Sequence, residues 1–422
     1  MTTLKIDLNE ILYAISSGFD AVEQELLNVR PGHCKRIAAM SIMLGKSLGL
    51  SSDELIDLAA FSILHDNALT EVNQEELEYK KYNEGESYSI HDYNARRCII
   101  GERNTKFMPF RTNNRDVLLL HHENADGSGP QGRTYDRTPI KAQIIHLADT
   151  IDNTYDLTSS SRENHGAIIY FVKSNAGRMF SREISETFCK SFKMKHLVSL
   201  DVTHVDTYLR KATKHFNDEY SAQEVVNLAT LIARIVDYKS HYTCKHSTGV
   251  AEKCAAMADF YNFSEEKRTK YYLAGALHDI GKLMISNSIL QKPAKLNDYE
   301  FELMKQHAYY TYDILKHINN KNMDDIVLWS SHHHEKLNGT GYPFGLVADQ
   351  LSHEERLMTC CDIYQALTEE RAYKTGFSHE QAISIMRDMV IKGEIDNNIV
   401  NAIDNVFTQN IRRDVPKTSI LT

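Results

Sequence analysis

Histidine and aspartate residues recur in the same order in the two halves of this 422-residue chain. The first series comprises His33, His65, Asp66, His91, His121, His122 and Asp149. The second series, 212 to 216 residues further along, comprises His246, His278, Asp279, His307, His333, His334 and Asp362. Imidazoles and carboxylates are typical ligands of transition metal ions. The shared register therefore predicts a duplicated metal-binding domain.

The neighbouring pair His278 and Asp279 is more informative than any single histidine, because many of the chain's 20 histidines are expected to be structural. Adjacent residues on a helix point about 100° apart, so the imidazole can bind one ion while the carboxylate bridges to another. Two ions roughly 3.5–4 Å apart hold a hydroxide between them and clamp the attacking and leaving oxygens of a phosphoester. The pair therefore favours metal-dependent phosphoester hydrolysis in the second half.

Helices are expected to position these residues, because apolar residues recur at three- and four-residue spacing and there are only seven prolines. Ser51 and Ser264 are typical helix caps, and each precedes a segment that leads into a His-Asp pair. Ser221 and Glu224 form a further capping box that opens the second copy. We predict an all-α fold of two tandem helical bundles, residues 1–210 and 211–422, with the boundary in the polar stretch near 205–220.

Composition excludes several classes of function. The net charge of −9 argues against binding polymeric nucleic acid, because such proteins are normally basic. No apolar run reaches the roughly 20 residues that cross a bilayer, and the first residues lack the apolar core of a signal peptide. The seven cysteines form no CxxC pair, which favours reduced thiols. We expect a cytoplasmic protein that is not associated with membranes.

The second half resembles the HD-GYP branch of the HD phosphohydrolases, bacterial enzymes that cleave cyclic dinucleotides. The matching segments are HDIGK at 278–282, HHE at 333–335 and GTGYP at 339–343. The resemblance covers roughly residues 220–410, and a weaker version covers residues 8–205. It implies an all-helical HD domain with a two- or three-metal centre of iron or manganese, which converts a cyclic dinucleotide to a linear dinucleotide or mononucleotides.

The resemblance also implies roles for individual residues. The seven members of the second series would be the metal ligands, and Lys282 would act with Asp279 in catalysis. An ammonium at residue 282 can stabilise charge on the scissile phosphate or protonate the departing oxygen. The remaining implied residues would contact the substrate, and they are Gly341, Tyr342, Pro343, Arg371 and Lys374.

Some positions depart from the family pattern. Tyr242 stands where trinuclear members carry a glutamate, so two ions of iron or manganese are expected rather than three. Gln365 stands where a second aspartate often follows Asp362. The first half has Leu69 in place of the catalytic lysine, and its sequence after His122 lacks the tyrosine of the GYP motif. The first copy is therefore expected to be structural or regulatory, with metal binding by the first series left open.

Two further interpretations remain open at this point. The chain could be a signalling adaptor that binds a cyclic dinucleotide without cleaving it, or an HD-type nucleotidase. The intact Lys282 opposes the first alternative for the second copy, and the GTGYP segment opposes the second alternative. The sequence does not choose between cyclic di-GMP and 3′,3′-cyclic GMP-AMP as substrate, nor between a monomer and a homodimer.

Overall fold

The computed structural model describes most of the chain. The described residues are 3–83, 85–158, 161–201, 203–213, 218–240, 245–370 and 375–414, with side chains described through residue 408 of the last segment. Helices dominate, which confirms the predicted all-α class. The strands in the described residues are β1 (Thr3–Ile6) and β2 (Asp218–Ser221), which pair in a two-stranded sheet.

The chain divides into two compact units. The first unit consists of Lys5–Asp218 and His317–Asn320. Its helices are α1 (Leu8–Leu27), α2 (His33–Ser47), α3 (Ser52–Ile63), α4 (Leu69–Tyr82), α5 (Ile90–Thr105), α6 (Ile140–Thr154), α7 (Arg162–Ser174), α8 (Arg182–Ser191), α9 (Met194–Val198) and α10 (Val205–Ala212), with a 3₁₀ helix at Tyr135–Arg137.

The second unit consists chiefly of Glu219–Lys316 and Lys321–Thr422. Its helices are α11 (Ala222–Asp237), α12 (His246–Phe260), α13 (Glu265–Leu277), α14 (Asn287–Leu290), α15 (Asp298–Leu315), α16 (Asp324–Ser331), α17 (His353–Thr368), α18 (His379–Ile391) and α19 (Asn397–Asp414). Short 3₁₀ helices lie at Ile280–Met284, Lys321–Met323 and Ala348–Gln350.

The predicted helix caps are present. The Ser51 and Ser221 side chains accept hydrogen bonds from the backbone N–H three residues on, and the reciprocal glutamate contacts complete both capping boxes. Ser264 caps α13 by accepting from the N–H of Lys267. Each cap satisfies N–H groups that have no partner within their own helix. The sequence therefore fixes where α3, α11 and α13 begin.

Apolar faces of the helices form the core of each unit. In the first unit, Ile37 and Met40 on α2 are buried, as are Leu58 and Phe61 on α3. In the second unit, α12 and α13 pack so closely that a Cβ on Gly275 would meet the backbone of Ala251. These packed helix pairs carry the first histidine and the His-Asp pair of each series.

Two expectations from composition can be compared with the structure. The described cysteines are free thiols, which agrees with the expected absence of disulfides among them: Cys34, Cys98, Cys189, Cys254, Cys360 and Cys361. Within the described ranges, no helix combines the length and apolar character that crossing a membrane requires.

Candidate metal centre

The second series of histidines and aspartates converges in the interior of the second unit. Five places in the fold supply the side chains: the start of α12, the end of α13, the middle of α15, the turn after α16, and the middle of α17. All are buried except His334, which is partly exposed. The residues brought together are His246, His278, Asp279, His307, His333, His334 and Asp362.

The His-Asp pair lies at the end of a helix rather than within one. His278 is the C-terminal cap of α13, and Asp279 precedes the 3₁₀ helix Ile280–Met284. The angular separation expected from a continuous helix therefore does not apply. The chain turns after α13, and this turn nevertheless brings both side chains into the centre.

One group of ligand atoms surrounds the Asp362 carboxylate. Its Oδ1 lies 3.0 Å from Nε2 of His246 and 3.8 Å from Nε2 of His278. The Oδ2 of Asp279 lies 3.2 Å from the same His278 nitrogen. Potential donor atoms of His246, His278 and Asp362 all fall within 4.8 Å of one another, a spacing that one metal ion could bridge.

A second group lies on the other side of Asp279. The Oδ1 of Asp279 is 3.4 Å from Nε2 of His307 and 3.9 Å from Nε2 of His333. His307, His333 and His334 form their own group of closely spaced nitrogen atoms. The two carboxylate oxygens of Asp279 therefore face different groups of histidines.

Hydrogen bonds orient the histidines for metal binding. The Nδ1 atoms of His278, His307 and His333 lie 2.6–2.7 Å from the carbonyl oxygens of the residues three positions earlier. A carbonyl oxygen can only accept a hydrogen bond, so each Nδ1 must carry the hydrogen. The lone pair of each ring is then on Nε2, which faces the centre. This orientation by an outer partner is typical of metal-binding histidines.

Two buried atoms of the centre lack the partners that burial normally demands. Nε2 of His278 and Oδ1 of Asp279 have no hydrogen-bond partner among the described residues, although the two residues are only 0% and 2% exposed. A buried polar atom without a partner costs roughly 1–3 kcal/mol. A divalent cation would satisfy both atoms, so the residues fit the metal ions that the sequence predicts.

The protonation states of His307, His334 and Asp279 suit a cation. Burial lowers the pKa of His307 to about 4 and that of His334 to about 3. Burial alone would raise the pKa of Asp279, but its interactions with His278 and Lys282 hold it well below its usual value. At neutral pH these histidines are therefore neutral and the aspartate is ionised, as metal coordination requires.

Glu369 is a residue that the sequence analysis did not identify. Its Oε2 lies 3.1 Å from Nδ1 of His246, on the opposite side of the ring from Asp362. Burial would lower the pKa of His246, but hydrogen bonds to these two carboxylates raise it to about 9. Glu369 lies one helical turn beyond Gln365, so an acidic residue at that spacing was the available signal.

The GTGYP segment folds against the tandem histidines. The backbone N–H of Tyr342 donates to the carbonyl of His334 at 3.2 Å, and the two rings lie 4.7 Å apart. A Cβ on Gly341 would overlap the backbone of Glu335 and Lys336, so only glycine allows this approach. Pro343 follows in the same loop.

Glu335 holds the end of this loop. Its carboxylate accepts hydrogen bonds from the N–H groups of Phe344, Gly345 and Leu346 at 2.6–3.1 Å. In the first unit, Glu123 accepts from backbone N–H groups of Gln131 and Arg133 in the same way. The glutamate after each tandem histidine pair therefore anchors a loop.

Lys282 reaches the centre from the 3₁₀ helix. Its Nζ forms an ion pair with Oδ2 of Asp279, and its side chain is partly exposed. An ammonium at this position can meet a phosphate as well as the aspartate. The predicted substrate contacts Arg371 and Lys374 lie outside the described residues, as does Tyr242.

The first unit repeats the group around the final aspartate. Oδ1 of Asp149 lies 3.4 Å from Nε2 of His33 and 3.8 Å from Nε2 of His65, and Oδ2 of Asp66 lies 3.5 Å from the latter nitrogen. His121 also approaches, with its Nε2 3.9 Å from Oδ1 of Asp66. The His122 ring lies beside His121, with ring centroids 4.0 Å apart and the ring planes tilted by 39°.

The prediction for His91 is wrong. Its side chain is 66% exposed at the start of α5, away from the buried cluster. Arg97, two turns further along the same helix, instead pairs with Oδ2 of Asp66. The constant sequence register failed here because the two helices begin at different places relative to these histidines. His91 is the second residue of α5, whereas His307 is the tenth residue of α15.

A helical fold with a buried His-Asp pair, tandem histidines and a closing aspartate defines the class of HD metal-dependent hydrolases. The chain belongs to the HD domain family, whose model matches residues 21–178 and 230–399. The matched ranges fall in both halves, and the resemblance to HD-GYP phosphodiesterases is confirmed by the relatives.

Relatives of known description align with this chain. A 3′3′-cGAMP-specific phosphodiesterase of Vibrio cholerae is 26% identical over 415 residues, which covers 94% of this chain and 91% of the relative. A cyclic di-GMP phosphodiesterase of Pseudomonas aeruginosa is 35% identical over 188 residues, or 44% of each chain. A crystal structure of a V. cholerae cyclic GMP-AMP specific phosphodiesterase shares the fold, with a TM-score of 0.64 and 23% identity over 96% of this chain and 98% of that one.

Proposed function

We propose that the chain is a metal-dependent phosphodiesterase that hydrolyses a cyclic dinucleotide at the centre of its second unit. The observation that carries this proposal is the position of Asp279 between two groups of buried histidines, beside Lys282. The phosphodiesterase descriptions of the relatives support the reaction class. The intact second series supports the choice of unit.

Two ions of iron or manganese are the proposed cofactors, since the donor set is rich in imidazole and carboxylate. The ligands would be His246, His278, Asp279, His307, His333, His334 and Asp362. Such a pair of ions supplies an activated water and neutralises charge on the phosphate oxygens. No further ligand set is required for two ions, because each side of Asp279 has its own group of histidines.

Residues around the centre would bind the substrate and assist departure of the leaving oxygen. Lys282 would hold a phosphate oxygen or donate a proton to the departing sugar oxygen, because its ammonium lies beside Asp279. Tyr342 would form one wall of the substrate site, since its ring packs on His334. Gly341 and Pro343 would shape that wall, and Arg371 and Lys374 remain proposed phosphate contacts.

We propose 3′,3′-cyclic GMP-AMP as the first substrate to test and cyclic di-GMP as the second. The relative that aligns over 94% of the chain is described as specific for the former, whereas cyclic di-GMP phosphodiesterases of Pseudomonas aeruginosa and Xanthomonas campestris align over 44% and 64% of it. In this proposal residues 1–210 form a domain that does not hydrolyse the substrate, because Leu69 replaces the lysine, and residues 211–422 form the catalytic domain.

The test is a product assay by chromatography. Protein loaded with iron or manganese without oxygen would be incubated with 3′,3′-cyclic GMP-AMP, cyclic di-GMP and cyclic di-AMP in parallel. Linear products that disappear after chelation are expected for at least one of the first two compounds. Absence of turnover for all three, with the metal content verified, would instead support an adaptor that binds without cleaving.

A further inference from the structure

The wall that Tyr342 forms beside the metal centre continues onto the exposed face of α15. Nζ of Lys305 lies 5.8 Å from the centre of the Tyr342 ring, and the Tyr342 ring lies 4.7 Å from that of His334. Phe301 lies one helical turn before Lys305, with its ring centre 5.1 Å from the same Nζ. Tyr342, Lys305 and Phe301 therefore form a continuous row that leads from the tandem histidines to the surface.

The outer end of this row is an aromatic ring with a charged pair beside it. Phe301 is 48% exposed, so much of its ring is open to a ligand. Oε1 of Glu302 accepts a hydrogen bond from Nζ of Lys305 at 2.6 Å, and the Glu302 side chain is 65% exposed. A carboxylate can accept several hydrogen bonds and an ammonium can donate three, so this mutual bond leaves both groups able to bind a ligand.

An aromatic ring, a carboxylate and an ammonium together can recognise guanine. Nucleobases stack on aromatic side chains whatever their identity. Guanine presents its O6 acceptor next to N1–H and N2–H donors, whereas adenine presents an N6–H donor next to an N1 acceptor. A carboxylate that accepts from the two guanine donors and an ammonium that donates to O6 therefore distinguish guanine from adenine.

The position of these groups also suits a base of the substrate. A cyclic dinucleotide has two phosphates and two bases, and hydrolysis requires one of its phosphates at the buried centre. The bases must then lie further out. Because the row passes from His334 across Tyr342 to Phe301, a nucleotide whose phosphate lies at the centre can place its base on the outer end.

We propose that Phe301, Glu302 and Lys305 bind a guanine base of the cyclic dinucleotide. The Phe301 ring stacks on the base, Glu302 accepts from N1–H and N2–H, and Lys305 donates to O6. This inference rests on the proposed function of the second unit and narrows its substrates to cyclic dinucleotides that contain guanine. Cyclic di-GMP and 3′,3′-cyclic GMP-AMP meet that condition, whereas cyclic di-AMP does not.

A second charged pair on α15 provides the matched control. Oδ1 of Asp313 lies 2.6 Å from Nζ of Lys316, and this Nζ lies 5.6 Å from the centre of the Tyr312 ring. Glu302 and Asp313 are 11 residues apart in the chain. That spacing corresponds to roughly 16 Å along a helix. The control pair therefore has the same charges as the first pair but lies at the other end of the helix.

The first measurement is calorimetric binding of GMP and AMP to the metal-loaded, full-length chain. The two nucleotides carry the same phosphate, so the ratio of their affinities reports recognition of the base. Wild type should bind GMP at least roughly tenfold more tightly than AMP. Glu302→Gln and Lys305→Met should each reduce this preference to below about threefold, whereas Asp313→Asn should retain it.

Phe301→Leu should weaken binding of GMP and AMP alike, because stacking does not depend on which base is bound. Equal affinities for GMP and AMP in wild type would overturn the proposal. A preference that Glu302→Gln and Lys305→Met both leave unchanged would also overturn it.

Turnover distinguishes failure of this proposal from failure of the function on which it rests. Glu302→Gln should raise KM for cyclic di-GMP roughly tenfold and leave kcat within about threefold of wild type, because the base is remote from the reacting phosphate. A wild type that prefers GMP but hydrolyses no cyclic dinucleotide would contradict the proposed function alone. Hydrolysis with an unchanged KM in Glu302→Gln and Lys305→Met would contradict the guanine site alone.

Discussion

At the scale of single residues, the chemistry depends on how charge is arranged around Asp279. Its two carboxylate oxygens face different histidine groups, and Lys282 pairs with one of them. The first unit offers a natural comparison, because Leu69 replaces the lysine and Arg97 brings its charge from another helix. Each unit thus has a cationic side chain beside the aspartate of its His-Asp pair. Only in the second unit is that side chain, Lys282, partly exposed and able to contact a phosphate.

Replacing Lys282 by the leucine found in the first unit should impair turnover without removing the ions. We expect Lys282→Leu to lower kcat by roughly 10²- to 10³-fold, because a positioned cation or acid is lost from the reacting phosphate. Steady-state kinetics and metal analysis of the same preparation check this. A kcat within about threefold of wild type would show that Lys282 has no part in the chemistry.

Glu369 should matter through His246 rather than through the substrate. Glu369→Gln removes the carboxylate that lies 3.1 Å from Nδ1 of His246, and loss of such an outer partner typically costs 10- to 100-fold in metal affinity. Titration with a competing chelator measures the change. The exposed neighbour Glu370 provides the control, and equal affinities of Glu369→Gln and Glu370→Gln would contradict the assignment.

The stability of the ion-free protein should fall in mild acid. The pKa of His307 is lowered to about 4 by burial, whereas an unfolded histidine titrates near 6.5. Between these values the unfolded chain binds a proton that the folded chain does not, so stability decreases as pH falls. This residue alone should account for about 2 kcal/mol between pH 7 and pH 5.

Urea denaturation of the chelated protein at both pH values provides the measurement. His307→Gln should show a smaller loss of stability on acidification than wild type. The exposed His91→Gln should behave as wild type does. Equal pH dependence in wild type and His307→Gln would mean that His307 does not stay neutral when buried.

At the scale of helices, the centre depends on close backbone contacts. A Cβ on Gly281 would overlap the carbonyl of His307 and approach the N–H of Thr311. Gly281→Ala must therefore push the 3₁₀ helix Ile280–Met284 away from α15. This movement would separate Asp279 from His307. We expect a loss of stability of roughly 3 kcal/mol and loss of most turnover, measured by thermal unfolding and product assay.

Gly166 on α7 is the matched control for this substitution. Nothing lies within 4 Å of a Cβ built there, and its backbone is helical. Gly166→Ala should be neutral or stabilise by up to about 1 kcal/mol, because alanine favours the helix. Similar stabilities of the two variants would show that the contact between the 3₁₀ helix and α15 can relax.

The sequence predicted the starts of several helices and most of the residues of the second unit's site. Capping residues located α3, α11 and α13, and the repeated motif picked out the side chains that meet in the second unit. The repeat register misassigned His91, because the segments before α5 and α15 differ in length and sequence spacing does not record that difference. Arg97 and Glu369 were missed because their roles arise from contacts between helices that are distant in sequence.

At the scale of the whole molecule, the chain carries two units of one family with different ligand sets. The second unit has two histidine groups around one aspartate, whereas in the first unit an arginine pairs with the matching aspartate. A relative that aligns over nearly the whole chain contains both halves as well. This arrangement fits the proposed division between a hydrolytic second unit and a first unit that does not hydrolyse the substrate.

We propose that hydrolysis occurs at the metal centre of the second unit. The most direct measurement compares linear product formation from 3′,3′-cyclic GMP-AMP and cyclic di-GMP by metal-loaded wild type, Asp279→Ala and the exposed control Asp349→Ala. We predict that Asp279→Ala abolishes turnover while the first unit stays intact, and that Asp349→Ala retains it. Wild-type turnover in Asp279→Ala would mean that hydrolysis takes place elsewhere in the chain.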